Sequence, residues 1–404
     1  MLSPKTIEIV KSTAPVLEVK GTEITRYFYE KLFERHPELL NIFNHANQKK
    51  GRQQTALANT VYAAAKHIDQ LEMLLPAVKQ IAHKHRSLGI KPEHYPIVGE
   101  HLLLAIKEVL GDAATDEIIN AWGEAYGVIA KVFIDVEEGM YAEAESEVNG
   151  WRGFKEFKVI KKVKESSKIT SFYFQPTNGA GVPTYLPGQY ISIRISIPGE
   201  ENLHNRQYSL STAPGKDYFR ISVKKEDDNK PEGKVSTYLH DHVEPGDVIE
   251  VSAPAGDFTL DVSKPSNVTL ISGGVGITPL FSMLEGIAEA NPVRKVTFIH
   301  GSKNEEVLAF SEQVEKNIEK LENGESYLYL DKETTAPCYH KGYMAAENLS
   351  PIVDKDSQFY ICGPAPFMTN VIKSLMKIGV KEDQIHYEFF GPAMKLDVAE
   401  AVEV

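Results

Sequence analysis

Over roughly the first 145 residues, apolar positions recur at spacings of three and four, the period of helices sharing one core. Short breaks fall at Pro37, at Gly51, at Pro76, between Gly89 and Pro92, and at Gly111. From Trp151 the pattern turns to alternation, through Phe154, Phe157, Val159, Ile160 and Val163 and then Thr170, Ser171, Phe172, Tyr173 and Phe174. Turn signals punctuate it at Pro183, Pro187-Gly188 and Pro198-Gly199, which predicts a small antiparallel barrel. From Ser266 apolar strands at 268–271, 296–299 and 359–361 alternate with helical stretches, the pattern of a parallel α/β sheet. The expected fold class is multidomain: an all-α domain over 1–147, an antiparallel β-barrel over 151–262, and an α/β parallel-sheet domain over 266–404. The stretch after Met394 reads as a solvated acidic tail.

Composition narrows the function classes. The chain has 404 residues, 42% of them hydrophobic and 25% charged, which is ordinary for a globular protein. A net charge of -12 argues against general affinity for nucleic acid or anionic membranes. Two cysteines, Cys338 and Cys362, exclude a disulfide framework and fit a reducing compartment. No segment approaches the roughly 20 apolar residues that span a bilayer, and the N-terminal stretch lacks a signal-peptide core. The expectation is a cytoplasmic monomer whose partners are small molecules, with no nucleic acid and no stable membrane insertion.

Chemistry enters the helical third through one of its histidines. Leu74, Val78, Ile81 and His85 follow steps of four, three and four, so His85 continues an apolar stripe. His83 falls on the far side of the same helix, beside Lys79 and Arg86 on its polar side. A buried imidazole needs partners for both nitrogens, so His85 is either a metal ligand or a hydrogen-bonded core histidine. Tyr29 and Gln53 interrupt stripes that are otherwise apolar, and Glu137 continues the face of Tyr126, Ala130 and Phe133 while Glu138 can reach water. A carboxylate on such a face is costly unless hydrogen-bonded.

The later domains carry motifs of their own. Arg206-Gln207-Tyr208-Ser209 offers a cation for a diphosphate, an aromatic face and a hydroxyl donor, in the order found in ferredoxin-reductase-like flavoproteins. Gly233-Lys234-Val235-Ser236-Thr237 reads as a turn into a helix whose amides suit an anion. Gly273-Gly274-Val275-Gly276-Ile277-Thr278-Pro279 follows a strand and opens a helix, although proline stands where the Rossmann pattern has its third glycine. Cys362-Gly363-Pro364 follows another strand.

Together these features resemble the flavohaemoglobin family over essentially the whole chain, most specifically in the segment AHKHRSLGIKPEHYPIVGEHLL at 82–103. The resemblance implies haem b held non-covalently, FAD, and NADH or NADPH, the choice between the last two being open around Ser302 and Lys303. It implies His85 as proximal iron ligand, with Tyr95 and Glu137 behind it, and Tyr29 as distal hydrogen-bond donor. Phe43, Gln53 and Leu57 would complete the distal side, with Lys84 next to the ligand. Flavin contacts would come from Tyr190, Arg206, Gln207, Tyr208, Ser209, Gly233, Lys234, Val235 and Ser236. The C-terminal run Glu388, Phe389, Phe390, Gly391 and Pro392 would add to them, with Phe390 near the isoalloxazine. Nicotinamide contacts would come from Gly273, Gly274, Val275, Gly276, Ile277, Thr278, Cys362, Gly363 and Pro364. The implied activity is nitric oxide dioxygenation: NAD(P)H reduces FAD, FAD reduces haem, and dioxygen at the ferrous haem turns nitric oxide into nitrate. Reduction of oxygen, hydroperoxides or nitric oxide itself on the same scaffold stays open, as does a non-enzymatic oxygen or nitric oxide sensor or store.

Overall fold

The computed structural model describes residues 2–43, 48, 51–228, 230–331 and 339–391. Its first layer is helical. Ser3 caps α1 (Pro4–Ser12) by accepting from Thr6 N–H, and proline at the first position loses no helical hydrogen bond. The long α2 (Ala14–Arg35) leads through a 3-10 turn (Pro37–Asn41) towards α3 (Arg52–Lys66). After these come α4 (Leu75–Leu88), α5 (His94–Leu110) and α6 (Asp116–Ser146). Ile24, Phe28 and Leu32 of α2 meet Leu102 and Ile106 of α5 and Trp122 of α6 in one core. Gly89, at φ 76, ends α4 in the left-handed conformation that glycine tolerates best.

The second layer is an antiparallel barrel built from β1 (Phe154–Lys164), β2 (Ile169–Pro176), β3 (Tyr190–Ile195), β4 (His204–Ser209), β5 (Phe219–Lys224) and β6 (Val248–Ser252). The strand order is β4-β3-β6-β1-β2-β5, and a bridge from Leu210 to Ile221 brings the two edges together. Phe157, Phe172, Phe174, Ile191, Ile193, Phe219 and Val251 fill it, and α7 (Lys234–His242) packs on them through Val235 and Leu239.

The third layer is a parallel sheet of β7 (Val268–Gly273), β8 (Val296–Ser302), β9 (Gly324–Leu330), β10 (Tyr339–Lys341), β11 (Gln358–Cys362) and β12 (Ile385–Glu388), in the order β10-β9-β8-β7-β11-β12. One face buries Leu270 and Phe298 under Leu280, Phe281 and Leu284 of α8 (Ile277–Ala290), with Val314 of α9 (Ser311–Ile318) beside them. The other packs Ile271, Ile299 and Ile361 against Leu349 of α10 (Ala346–Leu349) and Met368, Val371 and Leu375 of α11 (Ala365–Lys377). Helices on both faces explain why these strands read as continuous apolar runs. Among the described residues no helix is long and apolar enough to cross a membrane.

The barrel and the α/β domain are latched by a buried polar contact. Glu285 of α8 accepts from Thr212 Oγ1 at 2.7 Å and Ala213 N–H at 2.6 Å, and Ser282 donates to Thr212 O at 2.6 Å. The helical domain docks on the barrel through the polar side of α4. His83 accepts from Gly256 N–H at 3.3 Å, and Arg86, only 6% exposed, donates to Pro254 O. Helical period separates apolar from polar faces, but it cannot tell a polar face in water from one docked on another domain.

Candidate functional site

His85 sits on the inner face of α4, its side chain about one-third exposed (34%). Its Nδ1 lies 2.7 Å from Glu137 Oε1 and 3.3 Å from the Tyr95 hydroxyl, while Tyr95 itself donates to Glu137 Oε1 at 2.6 Å. Glu137 is 3% exposed, so its carboxylate is hydrogen-bonded as burial demands. Burial and the Glu137 charge push the Tyr95 phenol far above its ordinary range, which keeps it a donor. Tyr126 holds this group from behind, donating to Tyr95 O at 2.6 Å; Gly99 makes room, since a Cβ there would stand 2.4 Å from the Tyr126 ring. Tyr141 donates to Ile90 O at 2.8 Å and so fixes the end of α4. The second nitrogen of His85 has no protein partner among the described residues.

On α2, Tyr29 is 6% exposed within an aromatic group: its ring is 5.8 Å from Phe33, stacked, and 5.8 Å from Phe43, edge-on. Burial raises its pKa, opposed by a hydrogen bond with Gln53, so the phenol keeps its proton. Leu57 packs against the same core. A cavity of about 910 Å³ starts among Ala64, Val78, Ile81, Ile129 and Phe133. This apolar recess, with the His85 ring 6.0 Å from the Phe133 ring that lines it, fits a haem.

The same cavity runs to the reductase, where Tyr190, Asp257, Phe258, Glu388 and Phe389 line it. Lys84 does not stay with the helical domain: its ammonium donates to Gly391 O and faces Glu388 and Asp257. Burial raises the Glu388 carboxyl well above its usual range, and Lys84 opposes the shift. Glu388 Oε2 is buried with no hydrogen-bond partner. Phe389 lines the cavity beside it, whereas Phe390 is 43% exposed and Pro392 lies outside the described residues.

On the barrel, Arg206 and Tyr208 of β4 pair with Ile193 and Ile191, so they share one face, and Tyr208 lies within electrostatic reach of Glu226, which meets Gly233. That puts them near the start of α7. Gly233 supplies no side-chain cap, which leaves the first amides of the helix free for an anion. Thr237 Oγ1, one turn in, is buried without a partner, and both features fit a flavin diphosphate. Thr237 belongs to the same run as Lys234 and Ser236, and spacing alone did not single it out. Val235 turns into the barrel core and Lys234 pairs with Glu200, so of these two only the backbone amides face that site. Gln207 and Ser209 lie on the other face of β4, where Gln207 donates to Ser87 Oγ at 2.8 Å. Tyr190, paired with Ser209, points its buried hydroxyl towards Ser87.

At the carboxyl ends of β7 and β11 the glycines have separate reasons. Gly274, at φ 55, faces open space. A Cβ at Gly273 or Gly363 would strike the Phe367 ring, at 2.9 and 2.7 Å, and one at Gly276 would stand 2.3 Å from Cys362 O. Val275 is half-buried, Ile277, Thr278 and Cys362 are buried, and Pro364 caps α11. The open end of the sheet beside Gly274 suits a dinucleotide.

A helical haem pocket joined to a flavin barrel and a nicotinamide-type α/β domain defines a self-contained oxidoreductase. Comparison with known proteins agrees. The Globin family model matches residues 26–133, the oxidoreductase FAD-binding domain 156–260 and the oxidoreductase NAD-binding domain 270–373. A flavohemoprotein of Bacillus thuringiensis subsp. konkukian is 57% identical over 403 residues, covering 98% of this chain and all (100%) of that one. The crystal structure of a flavohemoglobin from Malassezia yamatoensis, with FAD and heme bound, superposes with a TM-score of 0.85 at 28% identity, over 96% of this chain and 100% of that one. The FAD/NAD-binding domain of a nitric oxide dioxygenase from Vibrio cholerae superposes at 0.56 and 37% identity, over 59% of this chain and 99% of that one. The chain belongs to the flavohaemoglobin family, and its cofactors are haem, FAD and NAD(P)H.

Proposed function

We propose that this oxidoreductase is a nitric oxide dioxygenase, with a haem domain over 1–147, a flavin domain over 151–262 and a nicotinamide domain over 266–404. The observation that carries the reading is one cavity that runs from the recess at Phe133, beside the His85 ring, to the Tyr190–Glu388 end of the reductase. A store or sensor of gas has no need of such a connection. When bound, the nicotinamide and flavin would supply single electrons from a hydride, and the haem would supply the redox chemistry for dioxygen and nitric oxide.

The residues then take separate tasks. His85 Nε2 would hold the iron, with Glu137 keeping the proton on Nδ1 and so making the ring a stronger donor. Tyr95 shares that carboxylate and stops it from turning away. Tyr29 would offer its phenolic proton to a bound gas, with Gln53 orienting it and Phe43 beside its ring. Lys84 joins the two halves of the cavity through its hydrogen bond to Gly391 O, with Glu388 beside it. Arg206 and the α7 amides anchor the flavin diphosphate, and Tyr208 lies beside them. Gly274 and its neighbours leave space for the dinucleotide.

The test is rapid mixing of the purified protein with NADH or NADPH, oxygen and then nitric oxide, with nitrate measured as product. Nitrous oxide or peroxide in place of nitrate would replace the dioxygenase with a reductase. Tyr29→Phe should slow nitric oxide consumption about tenfold, the worth of one buried hydrogen bond, and leave flavin bleaching by NAD(P)H at its normal rate. Unchanged turnover would remove Tyr29 from its role.

A further inference from the structure

Strand β4 sends side chains to two places. Arg206 and Tyr208 point towards the start of α7, while Asn205 and Gln207, on the opposite face, leave the barrel for the helical domain. Gln207 goes to Ser87, two residues past His85. Asn205 goes to the end of the 3-10 turn that follows α2. Its Nδ2 donates to Asn41 O at 2.7 Å and to Ile42 O at 3.0 Å. Two residues earlier, Leu203 N–H donates to Asn41 Oδ1 at 2.8 Å. Asn205 is 1% exposed, and its Oδ1 takes a long contact of 3.4 Å from Arg194 Nε. These bonds fasten the residues that end the 3-10 turn after α2. The next residue is Phe43, whose ring stands edge-on to Tyr29 at 5.8 Å and to Phe33 at 5.2 Å.

We infer that Asn205 is a positioning residue for the distal side of the haem chamber: through its amide the flavin barrel sets where the Phe43 turn sits against Tyr29. The residue type is what this task requires. Two adjacent carbonyls need two N–H donors from one buried group, and a carboxamide carries both while its oxygen still accepts from an arginine. Leucine would leave both carbonyls unpaired, and aspartate would set a carboxylate against them. The strand beside the flavin site thus holds both walls of the haem chamber, the proximal one through Gln207 and the distal one through Asn205. Ligand behaviour at the haem therefore depends on a residue of the reductase. The inference rests on the Tyr29–Phe43 chamber being the distal haem wall, and it is indifferent to which gas reacts there.

The test uses full-length protein loaded with haem and FAD, reduced, with carbon monoxide as probe. Asn205→Leu and the isosteric Asn205→Asp are each expected to change the rate of carbon monoxide rebinding by roughly three- to tenfold. Both should also shift or broaden the stretching band of the bound probe, a signature that a loss of general stability would not produce. Bleaching of the flavin by NADH should stay at the normal rate in both. If Asn205→Leu fails to retain cofactor, Asn205→Asp, which preserves volume, decides the question. Normal rebinding and a normal band in a fully loaded variant overturn the inference. Tyr29→Phe in the same assay separates the two layers: if it too leaves the band in place, the chamber assignment falls and the inference with it.

Discussion

Gly276→Ala is expected to abolish most flavin reduction by NAD(P)H while leaving haem and FAD content intact. The backbone at Gly276 is ordinary, with φ -62 and ψ -6, so alanine would be acceptable there on conformation alone. Space forbids it. The new methyl would stand 2.3 Å from Cys362 O, 2.4 Å from Cys362 C and 2.7 Å from Gly363 N. All three are main-chain atoms at the end of β11, so no rotamer change relieves the collision and the strand end must move. Overpacking of this kind costs about 1–3 kcal/mol, and here it falls where a dinucleotide would lie across β7 and β11. Gly274 is glycine for another reason: at φ 55 a side chain there meets left-handed strain of about 1–2 kcal/mol, and it strikes nothing within 4 Å, so its open face is the one left to the dinucleotide. Stopped-flow bleaching of the flavin should fall at least tenfold in Gly276→Ala. A normal rate would show that the end of β11 gives way to the methyl and that close packing of β7 on β11 is not what keeps this position glycine.

That contrast marks where sequence reading stops. The three and four spacing of the first third and the alternation after Trp151 each identify a domain, because burial on one face imposes a period. His85 and Glu137 stand out for the same reason: a polar side chain on an apolar stripe has to be accounted for. What the period cannot supply is the partner from another domain. Arg86 meets Pro254, 168 positions away, and Lys84 meets Gly391, 307 positions away. Neither Asp257 nor Asn205 has a local pattern that would single it out. The glycine run was legible as a strand-to-helix turn, but a close approach by ligand could not be told from a close approach by Phe367 or Cys362. Each of these depends on tertiary neighbours that spacing does not encode.

Glu137 carries the prediction that tests how the protein tunes its metal. Its Oε1 alone takes both the Tyr95 hydroxyl at 2.6 Å and the His85 Nδ1 at 2.7 Å, inside the protein and away from water. Glu137→Leu leaves two buried donors unpaired, each costing about 1–3 kcal/mol, and frees the imidazole to rotate and to shift its proton. Haem affinity should fall about 10–100-fold, as is usual when the group behind a metal-binding histidine is removed. Glu137→Gln separates geometry from charge. An amide oxygen can still accept from His85, so haem should be retained, but a neutral acceptor draws less on the Nδ1 proton and the ring gives less density to the iron. The iron–histidine stretching band should then move to lower frequency while haem content stays full. Tyr95→Phe should do less than either, because it removes one donor and leaves the carboxylate free to serve His85. A band at its normal position in Glu137→Gln would show that the carboxylate only orients the ring, and the electronic argument for oxygen activation would lose its residue.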